Sequence, residues 1–137
     1  QHFLNDENIA QQIVGALDCG IDHKFTLEIG PGMGVLTRYL VNNVDGEKFY
    51  VVEIDHESVA YLKKNFPQLN SKIISKDFLQ LNLNELFSEP LAIIGNFPYN
   101  ISSQILFKVL DYRDLVPLVV GMFQKEVAVR IAANPGK

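Results

Sequence analysis

Four short stretches carry the residue types best suited to chemistry: Glu28-Ile29-Gly30-Pro31-Gly32-Met33-Gly34, Glu53-Ile54-Asp55, Lys76-Asp77-Phe78 and Gly95-Asn96-Phe97-Pro98-Tyr99-Asn100. The alternating glycines allow a tight turn and let a ligand lie close to the backbone. Glu53 stands 19 positions beyond Gly34, and a carboxylate there can accept hydrogen bonds from both hydroxyls of a ribose. Asp77 can accept from an adenine amino group while Phe78 packs near the base. In the fourth stretch Asn96 offers a side-chain carbonyl and Phe97 a backbone carbonyl. Two such acceptors could hold the hydrogens of an aromatic amine.

The spacing bears on which nucleotide is bound. The dinucleotide fingerprint wants glycine at its sixth position, and counted from Gly30 that position is Val35. Three alternating glycines followed by a ribose-binding acid suit S-adenosylmethionine better, since it has no diphosphate to seat on a helix N-terminus. The 6-amino nitrogen of adenine is a poor nucleophile, because its lone pair is delocalised into the ring. Acceptors on its hydrogens favour a tetrahedral nitrogen with an available lone pair. Pro98 biases Phe97 to an extended conformation and so helps aim its carbonyl. Tyr99 can stack on the base and Phe97 can add apolar contact.

These residues need a frame that brings strand ends together. Asp6 is placed to cap a helix whose apolar residues Ile9, Ala10, Ile13, Val14 and Leu17 recur at helical spacing, with Gly20 as its stop. Strands are expected at residues 25–29, 49–54, 72–75, 91–94 and 115–123. Helices are expected at 35–41, 56–66, 101–110 and 125–133, the second stopped by Pro67. Strands apolar throughout, alternating with helices, imply an α/β doubly wound, mostly parallel sheet covered on both faces. In such sheets ligands bind beyond the carboxyl ends of the strands, where all four stretches fall.

Composition narrows the function classes. With 137 residues, 47% of them hydrophobic and 20% charged, the chain suits one globular domain with a sizeable core. No apolar run has the length of a membrane span and no secretory signal pattern is present, so a cytoplasmic protein is expected. Cys19 has no second cysteine to pair with, and His2, His23 and His56 lack ligand spacing, so neither a disulfide nor a metal site is expected. A net charge of −4 argues against one broad basic face for nucleic acid. Local basic groups occur at Lys63 with Lys64, around Lys108 and Arg113, and at Lys125 with Arg130. Each reads first as a solvated helix face.

Taken together, the chain resembles the S-adenosylmethionine-dependent ribosomal RNA adenine dimethyltransferases of the small-subunit type. The resemblance runs from Gln1-His2-Phe3-Leu4, through Leu27 to Gly34 with Leu36-Thr37, Val52 to Asp55 and Asp77-Phe78, to Gly95 to Ser102 and Gln124 to Val127. The last two runs are the most discriminating. The resemblance implies a Rossmann-like fold in which His2 and Leu4 lie over the methionine end of the cofactor. Gly30, with Gly32 and Gly34, lines the pocket; Glu53 and Ile54 hold the ribose end, Asp77 and Phe78 the adenine. Asn96 borders both cofactor and target base, and with Phe97, Pro98 and Tyr99 forms the catalytic group. The family often has Asn where His2 stands and Leu where Phe97 stands.

The implied reaction places two methyl groups on each of two adjacent adenines near the 3′ end of small-subunit ribosomal RNA, free or in a partly assembled small subunit. The protein is expected to act as a monomer, without metal or membrane. Residues 1–137 are expected to be the cofactor-binding domain, incomplete at both ends. Five strands are counted against seven in the methyltransferase sheet, and the family's basic N-terminal residues and helical C-terminal domain would carry much of the RNA affinity. Three alternatives share parts of the pattern. They are a large-subunit ribosomal RNA adenine methyltransferase, a nicotinamide-dependent oxidoreductase, and a non-catalytic ribosome-assembly or transcription partner with the same fold.

Overall fold

Strand β4 (Leu91–Phe97) shows how the sheet is built: Leu91, Ile93 and Phe97 pack on one face, while Ala92 and Ile94 pack on the other. A strand buried on both faces has no polar side to spare, which is why it reads as an unbroken apolar run. The structure is a computed structural model that describes residues 7–97, 99–123 and 126–129, with the side chains of Tyr99, Phe123 and 126–129 left aside. His2, Leu4, Asp6, Pro98, Gln124 and Lys125 therefore lie outside the described residues.

The sheet contains β1 (Phe25–Ile29), β2 (Phe49–Val52), β3 (Ile73–Ile74), β4, β5 (Leu118–Phe123) and β6 (Glu126–Val129), in the order β3-β2-β1-β4-β5-β6. All neighbours are parallel except β5 and β6. Helices α1 (Glu7–Gly15), α2 (Thr37–Asn43) and α3 (His56–Asn65) cover one face through Ala10, Ile13, Val14, Leu40 and Leu62. The short α4 (Leu83–Leu86) and α5 (Tyr99–Asp111) cover the other through Leu83, Ile105 and Val109. This is the doubly wound, mostly parallel α/β architecture.

The helix expected at 125–133 is corrected in its described part, because residues 126–129 form β6 and pair antiparallel with β5. Val127 and Val129 alternate at strand spacing, and pairing satisfies the backbone groups that β5 would otherwise expose as an open edge. Other differences are local. The third strand shrinks to Ile73–Ile74, because Pro67 opens a 3-10 turn that runs to Lys72. Helix α2 begins only at Thr37, after the glycine turn has ended.

Phe97 is only 4% exposed, and its ring lies against Gly95 and Gly121, which face each other across β4 and β5. A Cβ on Gly121 would sit 2.1 Å from the Gly95 carbonyl oxygen and 2.6 Å from the Phe97 ring. Backbone cannot move aside cheaply in a central strand, so Gly121→Ala is expected to destabilise the complete protein by about 3 kcal/mol in urea unfolding.

Candidate active site

Register brings the sequence-distant stretches to one level. Ile29 pairs with Val52 on one side and with Gly95 on the other, so the next residues, Gly30, Glu53 and Asn96, emerge side by side at the carboxyl ends of β1, β2 and β4. The chain runs outward from β1 to β2 and β3, then crosses back to β4. The gap between β1 and β4 is the topological switch point, where parallel sheets open a crevice.

The glycine turn is built for close approach: Gly30, Gly32 and Gly34 have φ of 63°, 56° and 84°, a region that other residues enter only with strain. Glu53 holds this turn in place. Its Oε1 accepts from the Gly32 N–H and its Oε2 from the Asp55 N–H, both at 3.0 Å. Each carboxylate oxygen keeps a further lone pair, so the two backbone donors orient the group and still leave it able to accept from a ribose. A Cβ on Gly34 would lie 2.7 Å from the Phe66 ring, a second reason for glycine at that position.

A cleft of about 130 Å³ follows from β1 toward α5, lined among others by Gly30, Glu53, Ile54, Asp77, Phe78 and Ile105. Asp77 Oδ1 accepts from Leu79 N–H at 3.0 Å and so caps the one-turn 3-10 segment Phe78–Gln80. Oδ2 retains acceptor capacity for an amine. Ile54 is 62% exposed at the mouth, a large apolar side chain that a bound base or sugar would cover. Phe78, which also lines the cleft, is buried. Asn96 is half-buried at the end of β4 and is not among the residues that line the cleft, and the Phe97 ring packs against Gly95 and Gly121. A larger cavity, about 770 Å³, lies at the opposite, amino end of the sheet between α1 and α2 and includes His23, Lys24 and Asp45. It contains none of the strand-end residues.

Two features of the site escape a reading of the motifs. Ile101 and Ile105 of α5 also line the cleft, and their four-residue spacing, which marks a helix face, was the available signal. Glu28, 1% exposed, receives a 2.6 Å hydrogen bond from the Thr37 hydroxyl, tying β1 to the first turn of α2 across the glycine turn. Its signal was a lone acid within the apolar β1. Burial pushes its carboxyl up from 4.5 to about 8, against the Thr37 hydrogen bond and with the Glu53 charge adding to the rise.

Between those values the folded chain keeps a proton that the unfolded chain gives up. The stabilisation is complete below about pH 4.5 and is lost as pH rises toward about 8, by about 1.4 kcal/mol per pH unit. Glu28→Gln keeps the acceptor for Thr37 without the charge. It is expected to flatten that dependence and to be roughly 3 kcal/mol more stable than the unsubstituted protein near pH 8, measured by urea unfolding.

The chain is 60% identical, over 99% of its length, to ribosomal RNA small subunit methyltransferase A of Cytophaga hutchinsonii, of which it covers 52%. It thus spans about half the length of the curated relatives it matches. Among solved structures, the 23S rRNA methyltransferase ErmE superposes with a TM-score of 0.71 at 27% identity, covering 86% of this chain and 46% of that one. A dimethyladenosine transferase from Plasmodium falciparum gives 0.64 at 28% identity, covering 90% of this chain and 43% of that one. The family model for ribosomal RNA adenine dimethylase matches residues 1–137. From glycine turn to β6, the chain belongs to the ribosomal RNA adenine dimethylase family.

Proposed function

We propose that the protein carrying this chain is an S-adenosylmethionine-dependent methyltransferase. It dimethylates the 6-amino groups of two adjacent adenines near the 3′ end of small-subunit ribosomal RNA. The observation that carries the reading is the convergence of Gly30, Glu53 and Asn96 at one level of the switch point, with Asp77 in the adjoining cleft. The residues present fit the cofactor: an acid for the ribose, an acceptor for the adenine amine, apolar walls, and a turn with three glycines for the remainder. His2 and Leu4 would cover the methionine end, as the family resemblance implies.

The cofactor supplies a methyl group on a sulfonium, already activated toward displacement. With the cofactor held by Glu53 and Asp77, the residues at the end of β4 would present the target adenine's nitrogen lone pair to that methyl group. The amine then releases a proton. Asn96 and the Phe97 carbonyl hold the amine hydrogens, and Tyr99 stacks on the base. Positioning of this kind can remove about 7 to 11 kcal/mol of barrier. The target base must leave its stack to reach the crevice. We place the reaction in the cytoplasm, on a partly assembled small subunit, with the protein monomeric and metal-free.

The test is methylation by the complete protein of naked small-subunit RNA, partly assembled small subunits and large-subunit RNA, with modified nucleotides mapped. Dimethylation of the two adjacent adenines in small-subunit RNA, strongest on the assembled particle, is expected. Methylation of large-subunit RNA alone would replace this reading with the alternative represented by ErmE.

A further inference from the structure

Lys108 is the one basic group of the Lys108 and Arg113 neighbourhood that turns inward. From α5 its Nζ donates to the carbonyl of Leu79 at 3.3 Å and to the carbonyl of Leu81 by a short hydrogen bond. The ammonium also lies 5.3 Å from the centre of the Phe78 ring and 5.4 Å from that of Tyr112. A solvated lysine would not give up water for these contacts unless they compensated it. Burial holds its pKa below the ordinary lysine value, while the charges of Asp77 and Asp111 oppose that shift.

The partners are the residues that follow Asp77. The 3-10 segment Phe78–Gln80 is a single turn, too short to hold its own geometry. It is fixed at its start by the Asp77 carboxylate on Leu79 N–H, and at its end by Lys108 on the carbonyls of Leu79 and Leu81. Carbonyls at the end of a helical turn lack partners within the turn and attract a cation. Leu79 is therefore held from both sides of its backbone, and the carboxylate rotamer of Asp77 is linked through one residue to Lys108. The same helix begins at Tyr99, nine residues away or about 14 Å at helical rise. Its Ile101 and Ile105 line the cleft between these two points.

We propose that Lys108 is a positioning residue for cofactor selection: it clamps the turn after β3 to α5 and thereby sets the place of the Asp77 carboxylate that reads the 6-amino group of the cofactor's adenine. This rests on the assignment of Asp77 to the adenine. Its consequence is a specificity effect, because a carboxylate accepts from an amine and is repelled by a carbonyl at the same ring position.

The experiment measures the affinity of the complete protein for S-adenosylhomocysteine and for S-inosylhomocysteine, its 6-oxo analogue, by calorimetry. Lys108→Met keeps the apolar stem and removes the donors. It is expected to lower the preference for the adenosyl compound by about tenfold, while Lys108→Arg restores most of it. Lys108→Gln, with a neutral donor too short to reach both carbonyls, should lose several-fold on the same ratio. Equal weakening of both ligands in the Met and Gln variants, or an unchanged ratio, overturns the role of Lys108. Asp77→Ala separates the two assignments: collapse of the ratio there but not at Lys108 removes only the lysine. An unchanged ratio at Asp77 removes the adenine reading and this inference with it. Thermal unfolding without ligand identifies any variant that has simply lost its fold.

Discussion

Replacing Asn96 by alanine is expected to slow methyl transfer by about 10² to 10³-fold while changing cofactor affinity by less than about tenfold. Asn96 stands one residue beyond Gly95, which is paired with Ile29, and opposite Met122 of β5. It is held on a central strand, so its amide has little freedom to lose when the target amine arrives. Two acceptors on the amine matter most once the nitrogen becomes tetrahedral and its hydrogens carry positive charge. Loss of one acceptor therefore falls on the transition state. Single-turnover rates at saturating cofactor, set beside calorimetric binding of S-adenosylhomocysteine, separate the two effects. A variant that binds a hundred times more weakly but transfers at the normal rate would move Asn96 from the reaction to the cofactor pocket.

Glu53→Ala carries the opposite signature. Cofactor affinity is expected to fall by about 10²-fold or more, because two charge-assisted hydrogen bonds to ribose are lost, each worth about 1.5 to 3 kcal/mol. The loss is compounded locally. The Gly32 and Asp55 amides lose their acceptor, so the glycine turn is no longer fixed to the end of β2. Glu53→Gln keeps one oxygen but turns an NH₂ toward one of those two N–H groups, and should fall between alanine and the native residue. Unchanged affinity in both variants would remove the ribose assignment. Asp55→Ala is the useful contrast, since its carboxylate is occupied as the cap of α3, accepting from Ser58 N–H at 2.9 Å.

The strand-end placement of Gly30, Glu53, Asp77 and Asn96 is legible in the sequence because each follows an apolar run that ends abruptly in glycine or a polar residue. Parallel strands buried on both faces leave that mark, and the helices between them carry their own period. Strand order is not written locally, and only pairing shows that Gly30, Glu53 and Asn96 stand level. β6 is misread because four residues containing two valines satisfy a helical period nearly as well as an alternating one, and what decides is the open edge of β5. The packing of the Phe97 ring is hidden for a related reason: nothing near position 97 announces that Gly121, remote in sequence, leaves a hollow for it. Glu28 and Lys108 look like ordinary charged residues in the sequence. Their roles come from what folding removes, namely water, and from partners at Thr37, Leu79 and Leu81 that folding supplies.

The proposed reaction depends on a cofactor seated in the switch-point crevice with its reacting end toward Asn96. The most direct measurement is a crystal structure of the complete protein with S-adenosylhomocysteine bound. Both ribose hydroxyls are expected on the Glu53 carboxylate, the adenine amine on Asp77 between Ile54 and Phe78, and the sulfur directed toward the end of β4. Density for the ligand in the larger cavity at the amino ends of the strands, beside His23, Lys24 and Asp45, or a ribose without contact to Glu53, would contradict it.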